Sequence, residues 1–293
     1  MGKIICVCNQ KGGVGKTTTV ISLAAYLASM GRKTLLIDID PQGNATSGIG
    51  VDKGALAKSI YDVIIGAVEL ADVVVGTGVE SLYLAPSNMA LTGAEIELVG
   101  AERREYHLKD ALQGVREAYE FILIDTPPSL GLLTINALTA ADSILIPLQC
   151  EYYSLEGVSQ LMNTVELIRS GLNPSLEIEG VLMTMADFRT NLANQVIDEV
   201  KGHFKDKVYK TVIPRTVRLS EAPGFGKPIS VYDKHSIGAR RYEDLAKEFL
   251  GIPLEVESVN AAIDTTAHCL DVPPVIDEKE GDFNAEEGIG QGA

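Results

Sequence analysis

Eight residues near the start constrain this chain most: Lys11-Gly12-Gly13-Val14-Gly15-Lys16-Thr17-Thr18. They follow an apolar run, Ile4 to Cys8, that reads as a buried strand, and they open a helical pattern running from Lys16 to Ser29. Strand, glycine-rich turn and helix in that order bring several backbone N–H donors and the positive end of a helix to one point. Glycines let the backbone curl closely around a bound group, so the arrangement suits a polyphosphate. On that reading Lys16 reaches the β- and γ-phosphates and the Thr17 hydroxyl ligates Mg²⁺. The bland alternative is a strand-to-helix turn with an incidental lysine, and the flanking elements weigh against it.

The rest of the chain supports the same class of fold. Gly31 is a helix stop, and Thr34 to Ile39 reads as a second strand. Further apolar runs lie at Leu82 to Ala85, Phe121 to Ile124, Ser143 to Pro147, Ile178 to Met183 and Lys210 to Ile213. Helical patterns fall at Tyr106 to Ala118, Leu132 to Ala141, Leu155 to Ser170, Leu192 to Lys201 and Gly238 to Leu250. Continuous apolar strands separated by helices predict a mostly parallel, doubly wound α/β sheet of about seven or eight strands. The pattern stops near Pro253. Residues 255–293 hold ten acidic residues, one basic residue and one aromatic. We therefore expect one α/β domain over 1–254 and an acidic, disordered tail over 255–293.

Two carboxylate stretches stand at predicted strand ends. Asp38-Ile39-Asp40-Pro41-Gln42-Gly43-Asn44 follows the second strand, and a parallel strand's carboxyl end is where ligands bind. An Asp-Pro turn would also suit Pro41 and Gly43. Phe121-Ile122-Leu123-Ile124-Asp125 is a buried strand ending in a carboxylate, suited to a metal's outer shell or its water. A strand-capping aspartate is the plainer reading.

The phosphate loop departs from the general G-x-x-x-x-G-K-[ST] pattern, with Gln10 at the first glycine position and Lys11 after it. In this it resembles the deviant Walker A motif, KGGxGK[ST], of the ParA/MinD/nitrogenase-iron-protein ATPases. Asp38 to Asn44 resembles the DxDPQGN switch of the ParA/Soj branch, and Asp125 stands as in a Walker B strand. Three further segments resemble that branch: Leu91 to Leu98, Pro147 to Gly157, and Ile213-Pro214-Arg215-Thr216-Val217-Arg218-Leu219-Ser220-Glu221-Ala222-Pro223. The resemblance covers about residues 2–250 and implies a single P-loop NTPase domain that binds ATP and Mg²⁺.

The same resemblance assigns roles. Gly12, Gly13, Val14, Gly15 and Thr18 cradle the nucleotide with Lys16. Lys11 reaches across a sandwich dimer to the partner's phosphates, as an arginine finger does, and Gly12 sits where two subunits meet. Asp40 orients the attacking water, while Asp38 and Asp125 join Thr17 around the metal. Pro214 lines the adenine pocket, although Thr216 replaces the pattern's asparagine. Glu151 faces the partner's nucleotide, by likeness to MinD, and Arg189 and Arg218 contact DNA, by likeness to Soj. The implied function is ATP-dependent DNA segregation in the cytoplasm on the nucleoid. Its partners are nonspecific DNA, a ParB/Spo0J-type centromere-binding protein and a second copy of the chain. The alternatives are a MinD-like membrane-associated positioning ATPase and a regulatory ATP switch acting on replication initiation.

Composition tests those branches. No apolar run reaches 18 residues, and the chain ends acidic and glycine-rich, without the basic amphipathic helix of a membrane-positioning ATPase. Four cysteines without CxxC, two of them on one strand face, predict reduced, buried thiols and no cluster ligands. The four histidines show no metal-ligand spacing. Net charge is −15, which taken alone argues against a nucleic-acid binder. Its distribution argues otherwise, because the tail carries −9 and Lys201 to Arg241 carries ten basic residues against three acidic. A local basic face is what phosphate contact requires. Lys201, Lys227, Arg240 and Arg241 join Arg189 and Arg218 as DNA candidates on charge alone.

Overall fold

The computed structural model describes residues 1–151 and 154–254. The acidic tail expected over 255–293 lies outside the described residues. Eight strands form one sheet: β1 (Lys3–Val7), β2 (Thr34–Asp38), β3 (Val75–Gly76), β4 (Leu82–Ala85), β5 (Phe121–Asp125), β6 (Ser143–Gln149), β7 (Glu177–Ala186) and β8 (Val208–Pro214). Their order is β3-β4-β2-β5-β1-β6-β7-β8. Every pairing is parallel except β3 with β4, where a two-residue antiparallel strand closes one edge. The doubly wound sheet expected from the apolar runs is present.

Alternation within each strand divides the core. Ile4, Cys6, Leu35, Ile37, Ile122 and Ile124 pack on one face, while Ile5, Val7, Leu36 and Leu123 pack on the other. On the first face lie α3 (Ile60–Ile64), α4 (Leu91–Glu97), α5 (His107–Leu112), α6 (Leu132–Ala140), α7 (Ser154–Gly171) and α8 (Asn191–Phe204). On the second lie α1 (Lys16–Ser29), α2 (Asn44–Gly48), α9 (Val217–Glu221), α10 (Ile229–Tyr232) and α11 (Ile237–Phe249). Strands covered on both faces need no polar side, which is why they read as unbroken apolar runs. Cys6, Cys8 and Cys150 are free and buried, as expected.

The ends of α1 set the site. Gly15 precedes it with φ 87°, a left-handed conformation that glycine adopts without a Cβ clash. Gly31 follows it at φ 79°, and the Arg32 amide donates to the Leu27 carbonyl at 3.0 Å, closing the last turn. The short α2, α3, α4, α9 and α10 were not legible as periodic patterns. Each is seven residues or fewer, too short for a helical repeat to show.

Candidate nucleotide site and basic face

The phosphate loop joins β1 to α1 at the carboxyl edge of the sheet. Asn9 pins its start: the side-chain amide donates to the Pro147 carbonyl at 2.8 Å, and its oxygen accepts from the Lys11 amide at 3.0 Å. Thr184 of β7 pins its middle by donating to the Val14 carbonyl at 2.9 Å. Gly13 has φ 73°, a second left-handed position. Gly12 differs, with no left-handed φ, and a Cβ built there would meet only the Pro128 Cβ, at 3.8 Å. Nothing among the described residues requires glycine at position 12.

The two loop lysines sit in opposite surroundings. Lys16 is buried, and burial pulls its ammonium below the usual lysine range against the opposing pull of Asp125, Cys8 and Asp40. Its Nζ donates to the Lys11 carbonyl at 3.2 Å. Lys11 instead points outward and pairs with Glu151 of the same chain at 2.9 Å. The other Glu151 oxygen lies 3.6 Å from Arg215. Thr17 and Thr18 occupy the first turn of α1 beside Lys16.

Strand register brings Asp38 and Asp125 together beside the loop, and the turn after β2 adds Asp40. Asp38 and Asp125 are opposed across the β2–β5 pairing, and Val7 is opposite Asp125 across β1–β5. Asp38 is saturated: one oxygen accepts from the Thr46 amide and hydroxyl at 2.8 and 2.7 Å, the other from the Asp40 amide at 3.1 Å. Burial, partly offset by those bonds, pushes its carboxyl up to about 6. Asp40 is fixed through the Gln42 amide, which donates to its carboxylate at 2.9 Å, and the Ser87 hydroxyl, which donates to its carbonyl at 2.7 Å.

Asp125 stands apart. It is fully buried, neither carboxylate oxygen meets a donor at hydrogen-bonding geometry among the described residues, and burial followed by the Asp38 charge pushes its pKa well up against the opposing pull of the Thr17 hydroxyl and the Lys16 ammonium. A buried carboxylate without a donor is unfavourable unless a cation or a bound water meets it. The residues therefore fit a divalent ion beside the loop. No group of three or more His, Cys, Asp or Glu is placed to hold a metal among the described residues.

Beyond the loop, a cavity of about 220 Å³ lies between α1, β7 and β8, lined by Gly15, Thr18, Thr184, Met185, Pro214 and Thr216 among others. Pro214 thus borders a cavity that Gly15 and Thr18 of the loop and first helix also line. Thr216 does not offer its hydroxyl oxygen freely, since it accepts from the Leu219 amide and caps α9. Met185 holds φ 52°, uncommon for a side-chain-bearing residue, and its sulfur is 3.1 Å from the Gln149 amide nitrogen. Neither Met185 nor Thr184 carries a signal in sequence. Thr46 likewise becomes part of the site only through the turn that returns it to Asp38.

The arginines lie elsewhere. Arg189 follows β7 and Arg218 belongs to α9 after β8; the two strands pair, with Ala186 opposite Pro214. Both side chains are exposed, 82% and 56% respectively. Arg189 forms a two-pronged pair with Asp187 at 2.8 and 2.6 Å, and that bond holds the Asp187 carboxyl down at about 2. Arg218 reaches Glu221 at 3.0 Å and Asp233 at 3.4 Å. Of the charge-only candidates, Lys201, Lys227 and Arg240 are exposed. Arg241 is turned inward on Asp244 at 3.0 Å, its side chain 13% exposed, so it adds little to the face.

Comparison with known proteins agrees with this geometry. The AAA domain family model matches residues 2–178. The chain is 60% identical over 248 residues to the sporulation initiation inhibitor protein Soj of Bacillus subtilis, covering 85% of this chain and 98% of that protein. It is 53% identical over 250 residues to the chromosome partitioning protein ParA of Myxococcus xanthus, covering 85% and 88%. The fold is shared with cobyrinic acid a,c-diamide synthase of Mycobacterium smegmatis, solved with an ATP analogue and magnesium, at TM-score 0.76 and 38% identity over 85% and 95% of the two chains. That protein's different activity shows that the fold alone does not assign a reaction. Sequence identity to Soj and ParA along nearly their whole length does assign a family: this chain belongs to the Soj/ParA family of chromosome-partitioning ATPases.

Proposed function

We propose that this protein is a DNA-segregation ATPase in which Mg²⁺-ATP drives a sandwich dimer, the dimer holds nonspecific DNA, and hydrolysis releases it. The observation that carries the reading is the contrast between Lys16 and Lys11. One lysine is buried behind the phosphate loop, and the other is turned out of its own site onto Glu151. A cation that leaves its own loop can complete the charge stabilisation of a second copy's phosphates. Gly12 supports the same reading, because it has room for a side chain within one chain and needs glycine only if a partner backbone approaches.

Within the working domain, taken as 1–254, each residue has a task. Gly13, Val14, Gly15, Lys16, Thr17 and Thr18 hold the polyphosphate, and Pro214 borders the base. Asp40, fixed by Gln42 and Ser87, orients the water whose oxygen bonds to the γ-phosphorus as the bond to ADP breaks. Thr17 and Asp125 would hold the metal, and Asp38 fixes the turn that carries Asp40. Mg²⁺, when bound, neutralises charge on the phosphates. Arg189 and Arg218 exchange their carboxylate partners for DNA phosphates. Dimerisation doubles the basic face, so ATP gates DNA affinity through avidity. A ParB/Spo0J-type protein is the expected stimulator of hydrolysis. The site of action is then the cytoplasmic nucleoid, and no helix among the described residues is long and apolar enough to cross a membrane.

Molar mass in solution with ATP and with ADP tests this. Asp40→Ala should trap an ATP-dependent dimer without turnover, and Gly12→Val should stay monomeric with ATP bound. A Gly12→Val protein that dimerises as the unaltered chain does would reject the sandwich.

A further inference from the structure

Two groups of exposed apolar side chains lie on the described surface, in opposite charge surroundings. Met89, Ile96 and Val99 lie on and beside α4, in a stretch that carries Glu95, Glu97 and Glu102. Val217, Phe225 and Val231 lie along α9 and α10, where Arg218, Lys227 and Lys234 are exposed. Phe225 is 66% exposed. Its ring stacks on Tyr232 with centroids 5.1 Å apart and planes 29° apart. The Tyr232 hydroxyl donates to Glu221 at 3.1 Å, and Arg218 donates to the same carboxylate oxygen at 3.0 Å. An open aromatic face and an exposed arginine are thus tied together through one carboxylate.

The turn that carries Phe225 is stiff. The Gly226 amide donates to the Pro223 carbonyl at 3.1 Å and the Lys227 amide to the Ala222 carbonyl at 3.3 Å. Gly226 holds φ 63°, and a Cβ there would come within 2.8 Å of the Gly50 Cα. Little ordering entropy remains to be lost when such a ring meets a ligand. One ring face already covers Tyr232, and its exposure leaves the rest to water.

We infer that Phe225 is a DNA-contacting residue, its open face lying on a deoxyribose at the edge of the duplex while Arg218 and Lys227 engage the flanking phosphates. This rests on the DNA-binding reading above and adds to it a contact without charge. An aromatic face set among cations suits sequence-tolerant contact, because every nucleotide of a duplex exposes an apolar sugar edge between its phosphates. An anionic lipid surface would also satisfy the cations. The local structure favours DNA: α9 and α10 have five and four residues, too short to bury the apolar helix face that an interfacial anchor uses.

The inference has its own signature. Phosphate contacts set the salt dependence of binding, and a neutral ring does not. The chain has no tryptophan, so Phe225→Trp places a single indole at the position in question. The full chain with a non-hydrolysed ATP analogue is titrated with a random-sequence duplex over a range of salt. Duplex should quench the Phe225→Trp emission. Phe225→Ala should weaken binding about threefold to tenfold with the salt slope unchanged, whereas Arg218→Ala should reduce that slope by about one. Phe225→Leu, which keeps apolar bulk, should fall between. Unaltered affinity in Phe225→Ala, or an indole blind to duplex, overturns the inference while DNA binding stands. An indole that responds to phosphatidylglycerol vesicles and not to duplex overturns it in favour of lipid. If the unaltered chain holds no DNA with the ATP analogue, the DNA reading itself falls, and this inference with it.

Discussion

The carboxyl ends of β1, β2 and β5 and those of β7 and β8 lie on one sheet edge yet are built on different terms. At the first, charged groups are buried and their surroundings are fixed. Asp38 is saturated by three donors, Lys16 is held at a carbonyl, and Asp125 meets no donor at hydrogen-bonding geometry among the described residues. At the second, charges are exposed and each arginine already holds a carboxylate. The first region is preorganised for one ligand, because a buried group cannot trade partners with water cheaply. The second exchanges one weak, screened ion pair for another, so its strength comes from number and from low salt.

The comparison predicts effects of very different size. The largest falls on the buried lysine: Lys16→Ala should lower ATP turnover by about a hundredfold to a thousandfold, measured as phosphate release. Gly12→Val comes next. Its thermal midpoint without nucleotide should stay near that of the unaltered chain, while ATP-dependent mass doubling disappears; a large loss of stability would mean that position 12 matters within one chain. On the exposed side, the Arg189→Ala, Arg218→Ala double variant should weaken duplex binding by tens of fold and flatten its salt slope by about two.

Two smaller effects sharpen the contrast. Asp125→Asn replaces a buried carboxyl that meets no hydrogen-bond donor among the described residues, so the nucleotide-free protein should melt about 2–4 °C higher while losing its stabilisation by Mg²⁺-ATP. Calorimetry with and without nucleotide separates the two. Asp187→Asn releases the Arg189 fork without touching the nucleotide site, and should tighten duplex binding about twofold, visible only at low salt. If Asp187→Asn had the larger effect of the two, the distinction between buried and exposed sites would be wrong.

Much of the first region was legible in the sequence. A phosphate loop is a contiguous spacing, and Asp38 and Asp125 each end an apolar run. What the sequence did not reveal is how those runs pair. Parallel register sets Asp38 opposite Asp125, and the turn that returns Thr46 to Asp38 saturates one carboxylate while the other meets no donor among the described residues. Thr46, Ser87, Thr184 and Met185 enter the site through turns and neighbouring strands that carry no local pattern. In the basic segment, counting charges found the stretch and overstated its members. Arg241 counts equally in the sequence and faces Asp244 in the fold. Phe225 was invisible to counting altogether, because exposure and a stacked neighbour are properties of packing.

The central claim is that nucleotide state at the first region controls DNA affinity at the second. Its most direct test is duplex affinity across a salt series, with a non-hydrolysed ATP analogue and with ADP, on the unaltered chain. Two basic faces joined in one dimer predict binding about a hundredfold tighter or more with the analogue. They also predict a salt slope about twice as steep, since twice as many phosphates are met. Equal affinity and equal slope in the two nucleotide states would contradict the account.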